Sequence, residues 1–570
     1  MFREYESSNV KFDSHETSNI NQLLLRSSTE WSSTYTIKIL RNFPFEFIAK
    51  SMQYYLNSWN ASFNYLYSDY DPSLGVFEIE PEVDVVLIWL DFRMYYKMQP
   101  KSFITWLRSR IIAVQACTEK PILINNWFEN LDEEIYIGGL SEELLWTRES
   151  NFLLQETLQS MFGVFLVDLS LQSVSKEKNL YDLRNDKMTS FPLNSYGTRL
   201  LAKYLGLNLF PALLASKIKV LVLDLDDTLY KGTLGEEGTN KLTLSNGHET
   251  LQRLLIKLKN NGLILAVCSR NDEADVNALF REREDFPIRI DDFSVVLANW
   301  EDKSKNILQI ATSVNVDHTA ILFVDDNPVE LMKVKDKLPG IHVLLADSDG
   351  LETKKRLINY PGIYSIQKDE LGVKRSEDIK ANQVRKIMEE TSVNLNEYLK
   401  NLNMSIDIYE NKVIHSKRFY ELSNKTNQFN LTLRRFEIAA VEKLFSADDH
   451  IVFTIGLKDC LTDSGIIGTL AASLQKNTAT LIEFLISCRA VGREIENVVL
   501  YHFIKELHKR RIDNVCFQYQ NGPRNQPAIK WLENISGSKK YKNTKELLSV
   551  LEPLVLRHPA EVNYYGRDEK

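Results

Sequence analysis

The chain has 570 residues, of which 44% are hydrophobic and 26% charged, the ordinary composition of a soluble globular protein. This length exceeds what one hydrophobic core organises, so it predicts roughly three or four domains. The 69 Lys and Arg against 77 Asp and Glu give a net charge of -8, which excludes a general nucleic-acid binder but leaves small anion sites open.

The N-terminal stretch "MFREYESSNVKFDSHETSNI" is polar and lacks the apolar segment of a secretion signal. The longest apolar runs, such as "DVVLIWL", fall short of the roughly 18 residues that span a bilayer. The five cysteines are scattered and never form a C-x-x-C pair, which disfavours a disulfide framework and a structural zinc site. We therefore expect a cytoplasmic protein with reduced thiols and no membrane segment.

Residues 1–215 form the first predicted domain. The runs "TYTIKIL", "DVVLIWLDF" and "KPILINNWF" are typical of buried parallel strands, and "SFITWLRSRIIAVQA" has the apolar spacing of a helix. This alternation predicts a doubly wound α/β domain.

A second alternation of strands and helices predicts another α/β domain over residues 216–371. Its predicted strands are "IKVLVLDLD", "LILAVCS" and "TAILFVDD", and each ends on polar residues. Open α/β sheets bind ligands at the carboxyl ends of their strands, so these ends predict a site. A charged, helix-prone linker over 372–400 leads to an α+β domain over 401–570, with strands "HIVFTIGLKD", "GIIGTLAASL" and "TATLIEFLIS".

The strongest chemical signal is Asp224-x-Asp226-x-Thr228 at the end of the first strand of the second domain. In an extended chain, residues two apart face the same way, so both carboxylates could reach one ligand. Paired carboxylates suit Mg²⁺, which takes one or two of them and fills its shell with water and phosphate. One carboxylate could attack phosphorus while the other, protonated, serves the leaving group.

Three further polar groups follow at the ends of later segments. Ser269 could hold a phosphoryl oxygen, Lys303 could balance developing negative charge, and Asp325 with Asp326 could complete a metal site. The order D-x-D-x-T, Ser, Lys, Asp-Asp resembles the haloacid dehalogenase (HAD) superfamily of aspartate-nucleophile phosphotransferases. Taken alone, the aspartates could merely cap a helix. A response-regulator receiver domain also gathers aspartates and a lysine at its strand ends, but its acidic pair follows the first strand only, whereas here an acidic pair follows both the first and the last of these strands.

The spacing between these groups indicates that the second domain has no cap. Only 44 residues separate Asp224 from Ser269, and 33 separate Ser269 from Lys303, which leaves room for a loop, a helix and a strand each. An open site favours a substrate presented by a partner protein, or one covered by neighbouring domains, over a free metabolite enclosed by a lid.

Five segments together resemble a narrower family, the FkbH-like proteins of polyketide biosynthesis. These segments are "LDLDDTLYKGTLGEEG", "CSRNDEADV", "NWEDKSKN", "FVDDNPVE" and "LSNKTNQFNLTLRRF", and the likeness covers roughly Lys219 to Leu551. The resemblance implies a capless HAD-like domain, a C-terminal domain like GNAT acetyltransferases and, in many members, an N-terminal domain like SGNH hydrolases.

The resemblance also implies a reaction. Members take the glyceryl unit of 1,3-bisphosphoglycerate, hold it on an enzyme cysteine, remove phosphate in the HAD site and pass the unit to the phosphopantetheine thiol of an acyl carrier protein. Asp224 would be the nucleophile and Asp226 the acid/base. Ser269 and Lys303 would bind phosphate, while Asp224, Asp226, Asp325 and Asp326 would form the Mg²⁺ site. Cys268 would carry the acyl group as the only cysteine inside a HAD motif, although it could instead be a small buried hydrophobe.

The flanking domains depart from the catalytic patterns of these families. The first predicted strand is followed by Arg41-Asn42-Phe43 rather than Gly-Asp-Ser, and no histidine lies between His15 and His248, so a Ser-His pair confined to the first domain is excluded. We interpret this domain as a scaffold or carrier-docking surface rather than an independent enzyme.

Two segments of the last domain are candidates for binding a pantetheine arm or the acyl group. "SCRAVGRE" resembles a pyrophosphate loop through Arg489, Gly492 and Arg493, but Glu494 at its end makes coenzyme A binding doubtful. "KTNQFNL" offers Asn427, Gln428 and Asn430, which could equally form a polar turn. Two other functions remain open, a plain phosphatase or transferase of another acyl group and a non-catalytic assembly platform.

Overall fold

The computed structural model describes residues 33–75, 78–129, 141–169, 180, 182–366, 370–537 and 541–567. The chain divides into two units, Met1–Asp369 and Glu370–Lys570. None of the helices in the described ranges combines the length and the apolar character that a membrane crossing requires.

The first unit contains two five-stranded sheets, and the N-terminal one is parallel throughout. Its strands are β1 (Ser33–Arg41), β2 (Ala61–Tyr70), β3 (Val85–Trp89), β4 (Ile122–Asn125) and β5 (Val164–Val167), in the spatial order β2-β1-β3-β4-β5. Its helices are α1 (Glu46–Leu56), α2 (Pro100–Cys117), α3 (Glu142–Gln159), α4 (Leu183–Thr189), α5 (Ser195–Tyr204) and α6 (Phe210–Leu214).

Strand β3 shows why this sheet is covered on both faces. All five of its residues are buried, with Val85 and Leu87 in one hydrophobic cluster and Val86 and Ile88 in another. Because successive side chains of a strand point to opposite faces, a fully apolar run requires helices on both sides. The predicted doubly wound α/β architecture is confirmed here.

The second sheet of the first unit is also parallel and places strand β6 at its centre. Its strands are β6 (Val220–Leu223), β7 (Ile264–Ser269), β8 (Val295–Ala298), β9 (Ile321–Asp325) and β10 (His342–Leu345), in the order β10-β9-β6-β7-β8. Its helices are α7 (Leu234–Glu237), α8 (Asn246–Asn260), α9 (Glu273–Glu282), α10 (Lys303–Ser313), α11 (Pro328–Lys337) and α12 (Gly350–Ile358). The carboxyl end of β6 therefore lies between those of β7 and β9.

The second unit is built on a mostly antiparallel sheet, as the α+β prediction requires. Along the sheet lie β17 (Tyr541–Asn543), β16 (Asn514–Phe517), β15 (Thr478–Ile486), β14 (Asp463–Gln475), β13 (His450–Lys458), β11 (Ser405–Glu410) and β18 (Glu561–Tyr565), and β12 (Phe429–Asn430) pairs with β15. The helices are α13 (Glu370–Thr391), α14 (Leu395–Asn401), α15 (Ser416–Lys425), α16 (Ile438–Ser446), α17 (Ile495–Lys509), α18 (Gln526–Ser536) and α19 (Thr544–Arg557). Helix α13 corresponds to the predicted linker and belongs to this unit.

One carboxyl group is buried inside this sheet. Glu483 on β15 is completely inaccessible to solvent, and its oxygens accept hydrogen bonds from Thr432 Oγ1 at 3.0 Å and from the Phe484 N–H at 2.9 Å. Burial raises its pKa to about 8, because the charged form loses its hydration. The folded chain thus retains a proton that the unfolded chain releases near the ordinary value.

We expect Glu483→Gln to remove a pH-dependent loss of stability from the second unit. A raised carboxyl pKa stabilises the fold below the unfolded value and loses that contribution as pH rises toward about 8. The amide oxygen can accept from the Phe484 N–H while Nε2 donates to Thr432 Oγ1, and the amide does not titrate. At about pH 8 the variant should therefore be more stable by on the order of 2 kcal/mol. Hydrogen exchange of the β14 and β15 amides at about pH 6 and pH 8 measures this. Exposed Glu442→Gln is the control, and equal pH dependence in Glu483→Gln and the wild type would contradict it.

Candidate active site

The end of β6 turns sharply after the first aspartate pair. Asp227 has φ +48°, and its Oδ1 accepts a hydrogen bond from the Gly232 N–H at 2.9 Å while its own N–H donates to the Gly232 carbonyl. Aspartate tolerates this left-handed conformation because its short side chain can bond the local backbone. Asp227 therefore closes the turn, leaving Asp224 and Asp226 as the chemical pair.

A buried lysine bridges the ends of β6 and β9. Lys303 Nζ, at the start of α10, lies 2.6 Å from Asp325 Oδ2 and 3.0 Å from Asp224 Oδ1. These three residues are 4%, 0% and 6% exposed, respectively. A buried charge is tolerated only when it is paired, so two carboxylates and one ammonium compensate each other and leave one net negative charge.

Burial and pairing shift the pKa values of this cluster. Burial raises the pKa of Asp224 to about 6 against the opposing effect of Lys303, and burial likewise raises the pKa of Asp325. Burial acts to lower the pKa of Lys303, but Asp224 and Asp325 outweigh it and leave that pKa above its ordinary value. Lys303 is therefore a fixed positive charge beside Asp224.

Three carboxylates at this edge have the composition of a divalent-cation site. One oxygen each from Asp224, Asp325 and Asp326 lies within 4.8 Å of the others. Asp224 Oδ1 is buried and lies 3.0 Å from Lys303 Nζ, so its charge is paired with the lysine. An oxygen-only group of this kind fits Mg²⁺, a hard cation.

Asp226 lies outside this group of three, and its carboxylate is held by other donors. Its Oδ1 accepts from Tyr230 Oη at 2.7 Å and from the Leu234 N–H at 2.9 Å, and its Oδ2 accepts from Asn271 Nδ2 at 2.9 Å. This fixed orientation suits an acid/base group, whereas its role as a metal ligand stays a prediction. Sequence reasoning missed Tyr230 and Asn271, although both lie within the quoted motifs.

Ser269 is the last residue of β7 and is buried beside Asp224. Its hydroxyl interacts with Asp224 and accepts a hydrogen bond from Asn271 Nδ2 at 3.1 Å. The structure thus brings Ser269, Lys303 and the carboxylates together at one edge of the sheet.

The structure gives Cys268 no route to solvent. Strand β7 includes both Cys268 and Ser269, so their side chains point to opposite faces, and the Cys268 Sγ donates to the Lys303 carbonyl at 3.8 Å. The thiol is 0% exposed, and burial raises its pKa to about 12 despite the nearby lysine. In this conformation the group is a protonated, inaccessible thiol, which argues against its predicted role as acyl carrier.

The arginines of the predicted pyrophosphate loop belong to a buried ion network of the second unit. Asp459 Oδ2 accepts from Arg493 Nη1 at 2.9 Å and from Arg385 Nε at 2.9 Å. Asp378 Oδ2 accepts from Arg489 Nη1 at 2.5 Å. These contacts fasten helix α13 to the loop before α17 and leave neither arginine aimed at a ligand.

The start of helix α17 already holds a carboxylate of its own. Gly492 is exposed with φ +88°, and Glu494 adopts a left-handed conformation. The backbone N–H of Glu496 donates a hydrogen bond to the carboxylate of the same residue. Burial raises the pKa of Glu496 to about 7. A negative charge at this position would repel a pyrophosphate. Glu496, like Glu494, therefore argues against coenzyme A binding.

In the "KTNQFNL" segment, the side chains serve the fold. Asn430 is fully buried, its Oδ1 accepts from the Thr432 and Leu433 N–H groups, and its Nδ2 donates to the Thr426 carbonyl. Asn427 Oδ1 accepts from Arg435 Nη2 at 2.5 Å, and Gln428 is exposed. The binding role considered for Asn430 stays a prediction, against which its hydrogen bonds to the backbone of its own turn argue.

Comparisons with known proteins give fold likenesses at low identity. No family model matches the chain, and no curated protein matches it. The N-terminal part of BF1531 from Bacteroides fragilis, containing a phosphatase domain complexed with Mg, is 20% identical over 61% of this chain and 99% of that one, with a TM-score of 0.48.

Two acetyltransferases overlap smaller parts of the chain. The ribosomal-protein-S18-alanine N-acetyltransferase from Escherichia coli is 13% identical over 23% of this chain and 75% of that one, with a TM-score of 0.19. A GNAT-family acetyltransferase from Staphylococcus aureus is 14% identical over 25% of this chain and 99% of that one, with a TM-score of 0.20. The chemistry of this chain therefore rests on its own side chains.

We expect Mg²⁺ binding to weaken steeply as pH falls through about 6. The metal binds ionised carboxylates, and burial raises the pKa values of Asp224 and Asp326 to about 6. Ordinary aspartates stay ionised at about pH 5, whereas these should bind Mg²⁺ about ten- to a hundredfold more weakly there than at about pH 7.5. Calorimetric titration of the full chain measures this. Asp326→Asn should bind more weakly with a shallower pH dependence, and a constant wild-type affinity over this range would refute the expectation.

Proposed function

We propose that the chain is a Mg²⁺-dependent enzyme that removes a phosphoryl group by way of an aspartyl-phosphate on Asp224. The observation that supports this best is the buried contact of Lys303 with both Asp224 and Asp325, beside the third carboxylate of Asp326. A purely structural ion pair needs one carboxylate, whereas this arrangement concentrates three at an edge that is open to ligands. Mg²⁺ bound by these carboxylates would offset the negative charge of an incoming phosphate.

Each side chain has a defined task in this reaction. An Asp224 oxygen attacks phosphorus, and the bond between phosphorus and the leaving oxygen breaks. Asp226, held by three donors, gives a proton to the leaving oxygen and then removes one from the water that hydrolyses the aspartyl-phosphate. Lys303 and Ser269 stabilise the negative charge of the transferring oxygens.

The open site supports a substrate carried by a larger partner. The segment from β6 to α8 contains the four-residue helix α7 and a single β-bridge between Lys231 and Thr243, and the segment from β7 to α10 contains only α9, a short 3₁₀ turn and β8. Within residues 216–366, neither segment inserts a domain over the site. A tethered substrate can reach such a site without being enclosed.

We also propose a specific substrate. The enzyme takes the glyceryl unit of 1,3-bisphosphoglycerate and loads it onto an acyl carrier protein for polyketide biosynthesis. This rests on the five FkbH-like motifs. The phosphopantetheine sulfur forms a thioester with the acyl carbon as the acyl-phosphate C–O bond breaks and inorganic phosphate departs. Hydrolysis of the remaining phosphate ester at Asp224 then leaves a free hydroxyl on the glyceryl unit.

The burial of Cys268 bears on the route of this transfer. A relay through an enzyme thioester needs an accessible thiolate, whereas direct attack by the carrier thiol needs none. The same observation favours the second candidate, a plain phosphatase that releases phosphate without any acyl adduct.

We expect Asp224→Asn to lower phosphate release by at least about a thousandfold, because the amide is not a nucleophile. The assay incubates holo-carrier protein, 1,3-bisphosphoglycerate and Mg²⁺ with the full chain and records phosphate and the intact carrier mass. Asp227→Asn is the matched control, since the turn accepts an amide oxygen equally well, and it should resemble the wild type. Full activity in Asp224→Asn would favour the non-catalytic platform.

Three outcomes of that assay separate the finer possibilities. A glyceryl mass increment on the carrier that survives Cys268→Ala supports direct transfer. An increment lost in Cys268→Ala, with phosphatase activity retained, supports the enzyme thioester. Phosphate release without any increment on active holo-carrier would overturn the loading proposal and leave the phosphatase.

Tyr230→Phe tests how Asp226 is positioned. The variant removes one of three donors to this carboxylate while the buried ring remains, so we expect kcat to fall roughly three- to tenfold with little change in KM. An unchanged kcat in Tyr230→Phe, or a loss confined to KM, would exclude a positioning role for Tyr230.

A further inference from the structure

Two cations and one buried carboxylate form a cluster at the carboxyl edge of the second sheet. Glu330 lies in the first turn of α11 and is 6% exposed. Its Oε2 accepts a hydrogen bond from Arg270 Nη2 at 3.2 Å, and its Oε1 accepts one from Lys333 Nζ at 3.0 Å. None of these three residues has a task in the phosphoryl chemistry proposed above.

The topology places this cluster beside the phosphoryl site. Strands β7 and β9 flank β6, and Arg270 directly follows β7 while Glu330 belongs to the helix that follows β9. Their contact therefore joins the two segments on either side of the carboxyl end of β6, where Asp224 lies. Arg270 is also the next residue after Ser269, which interacts with Asp224. Its long side chain is thus suited to contact another part of a substrate whose phosphoryl group lies at Asp224.

Both cations retain hydrogen-bond donors for a ligand. The side chain of Arg270 is 44% exposed and that of Lys333 is 54% exposed. A guanidinium has five N–H donors and an ammonium has three, and among the described residues each cation uses one of them, on Glu330. Because these donors match the oxygens of a carboxylate or phosphate, an anion could bind without breaking either contact.

The cluster differs from ordinary ion pairs on the surface of the same domain. Arg253 pairs with Glu249 and Lys305 pairs with Glu301, so each pair joins one cation to one carboxylate that is more than a third exposed. Glu330 is instead buried and holds two cations, which leaves one net positive charge. Cations that are already held in place lose less conformational freedom when they bind an anion.

The charges of the phosphoryl site make this position the favourable one for a second anionic group. The four aspartates of that site would repel such a group, and Lys303 is already paired with two of them. The net positive charge of the cluster lies at the same edge of the sheet. A substrate with two anionic groups can therefore place one at Asp224 and the other at the cluster.

We propose that Arg270 and Lys333, held by Glu330, form a second anion subsite that binds a carboxylate or phosphate group elsewhere on the phosphorylated substrate. This rests on the proposed phosphatase function and adds which substrates that function selects. Two sources have this chemistry, the acidic end of a free phosphorylated metabolite and the phosphodiester of a carrier's phosphopantetheine arm.

A matched pair of phosphate esters tests the metabolite source. 3-Phosphoglycerate and glycerol 3-phosphate have the same phosphate ester and differ in a carboxylate or a hydroxymethyl group at the other end. We expect the full chain with Mg²⁺ to hydrolyse 3-phosphoglycerate with the higher kcat/KM. Arg270→Gln should lower that value about five- to twentyfold, mainly through KM, while glycerol 3-phosphate changes less than about twofold. Lys333→Gln should cause a smaller loss of the same kind.

Two further variants separate anion binding from other effects of the substitution. Arg253→Gln removes an arginine from an exposed ion pair of the same domain, so neither substrate should change. Arg270→Lys keeps the positive charge and should recover most of the preference for 3-phosphoglycerate. If Arg270 merely positioned α11, Arg270→Gln would affect both substrates equally, and that result would overturn the proposal.

A second pair of substrates tests the carrier source. The 3-phosphoglyceryl thioester of holo-carrier protein contains the phosphodiester, whereas the same thioester of N-acetylcysteamine lacks it. A loss in Arg270→Gln that is confined to the carrier thioester would support the subsite and assign it to the arm. Unchanged preferences within both pairs, in an enzyme that still releases phosphate, would overturn the subsite alone. Failure of the proposed function is distinguishable, because the wild type would then release phosphate from none of the four substrates.

Discussion

The contact of Lys303 with Asp224 and Asp325 is the interaction on which the candidate active site depends. Parallel strands bring their carboxyl ends to one edge, and the order β9-β6-β7 makes the aspartates of two of these ends neighbours. Without a cation between them, two buried carboxylates would repel each other and one would be protonated. The lysine keeps negative charge available on these buried carboxylates.

The sequence predicted those features of the fold that depend on local patterns. Strands β6, β7 and β9 and the polar residues at their ends were found, because each is an apolar run that stops at a carboxylate or hydroxyl. Strands β8 and β10 were not predicted. Each has four residues, as β6 does, but β6 lies within the longer apolar run "IKVLVLDL", whereas Ser294 and His342 interrupt the apolar runs of β8 and β10. The edge strand β2 mixes polar and aromatic residues, so its pattern does not mark it as buried.

The sequence could predict only those site residues whose chemical type suggests a role before their contacts are known. The cluster of acidic residues and the lysine pointed to their chemistry directly. In contrast, whether Arg489 and Arg493 face a ligand depends on Asp378 and Asp459, which lie far away in the sequence. The same limit applies to Cys268, because the burial of a strand residue is set by the helix packed on that face, here α10. An SGNH-like identity for the N-terminal sheet rests on the resemblance alone.

The turn closed by Asp227 has a consequence for how the site is encoded. Asp226 and two of its three donors, Tyr230 and the Leu234 N–H, belong to one stretch of eleven residues that begins at Asp224. The charge environment of Asp224 instead comes from Lys303 and Asp325, which lie 79 and 101 residues onward. The orientation of Asp226 is thus encoded by neighbouring residues and the charge environment of Asp224 by distant ones, so a substitution can alter one in evolution or engineering while leaving the other intact.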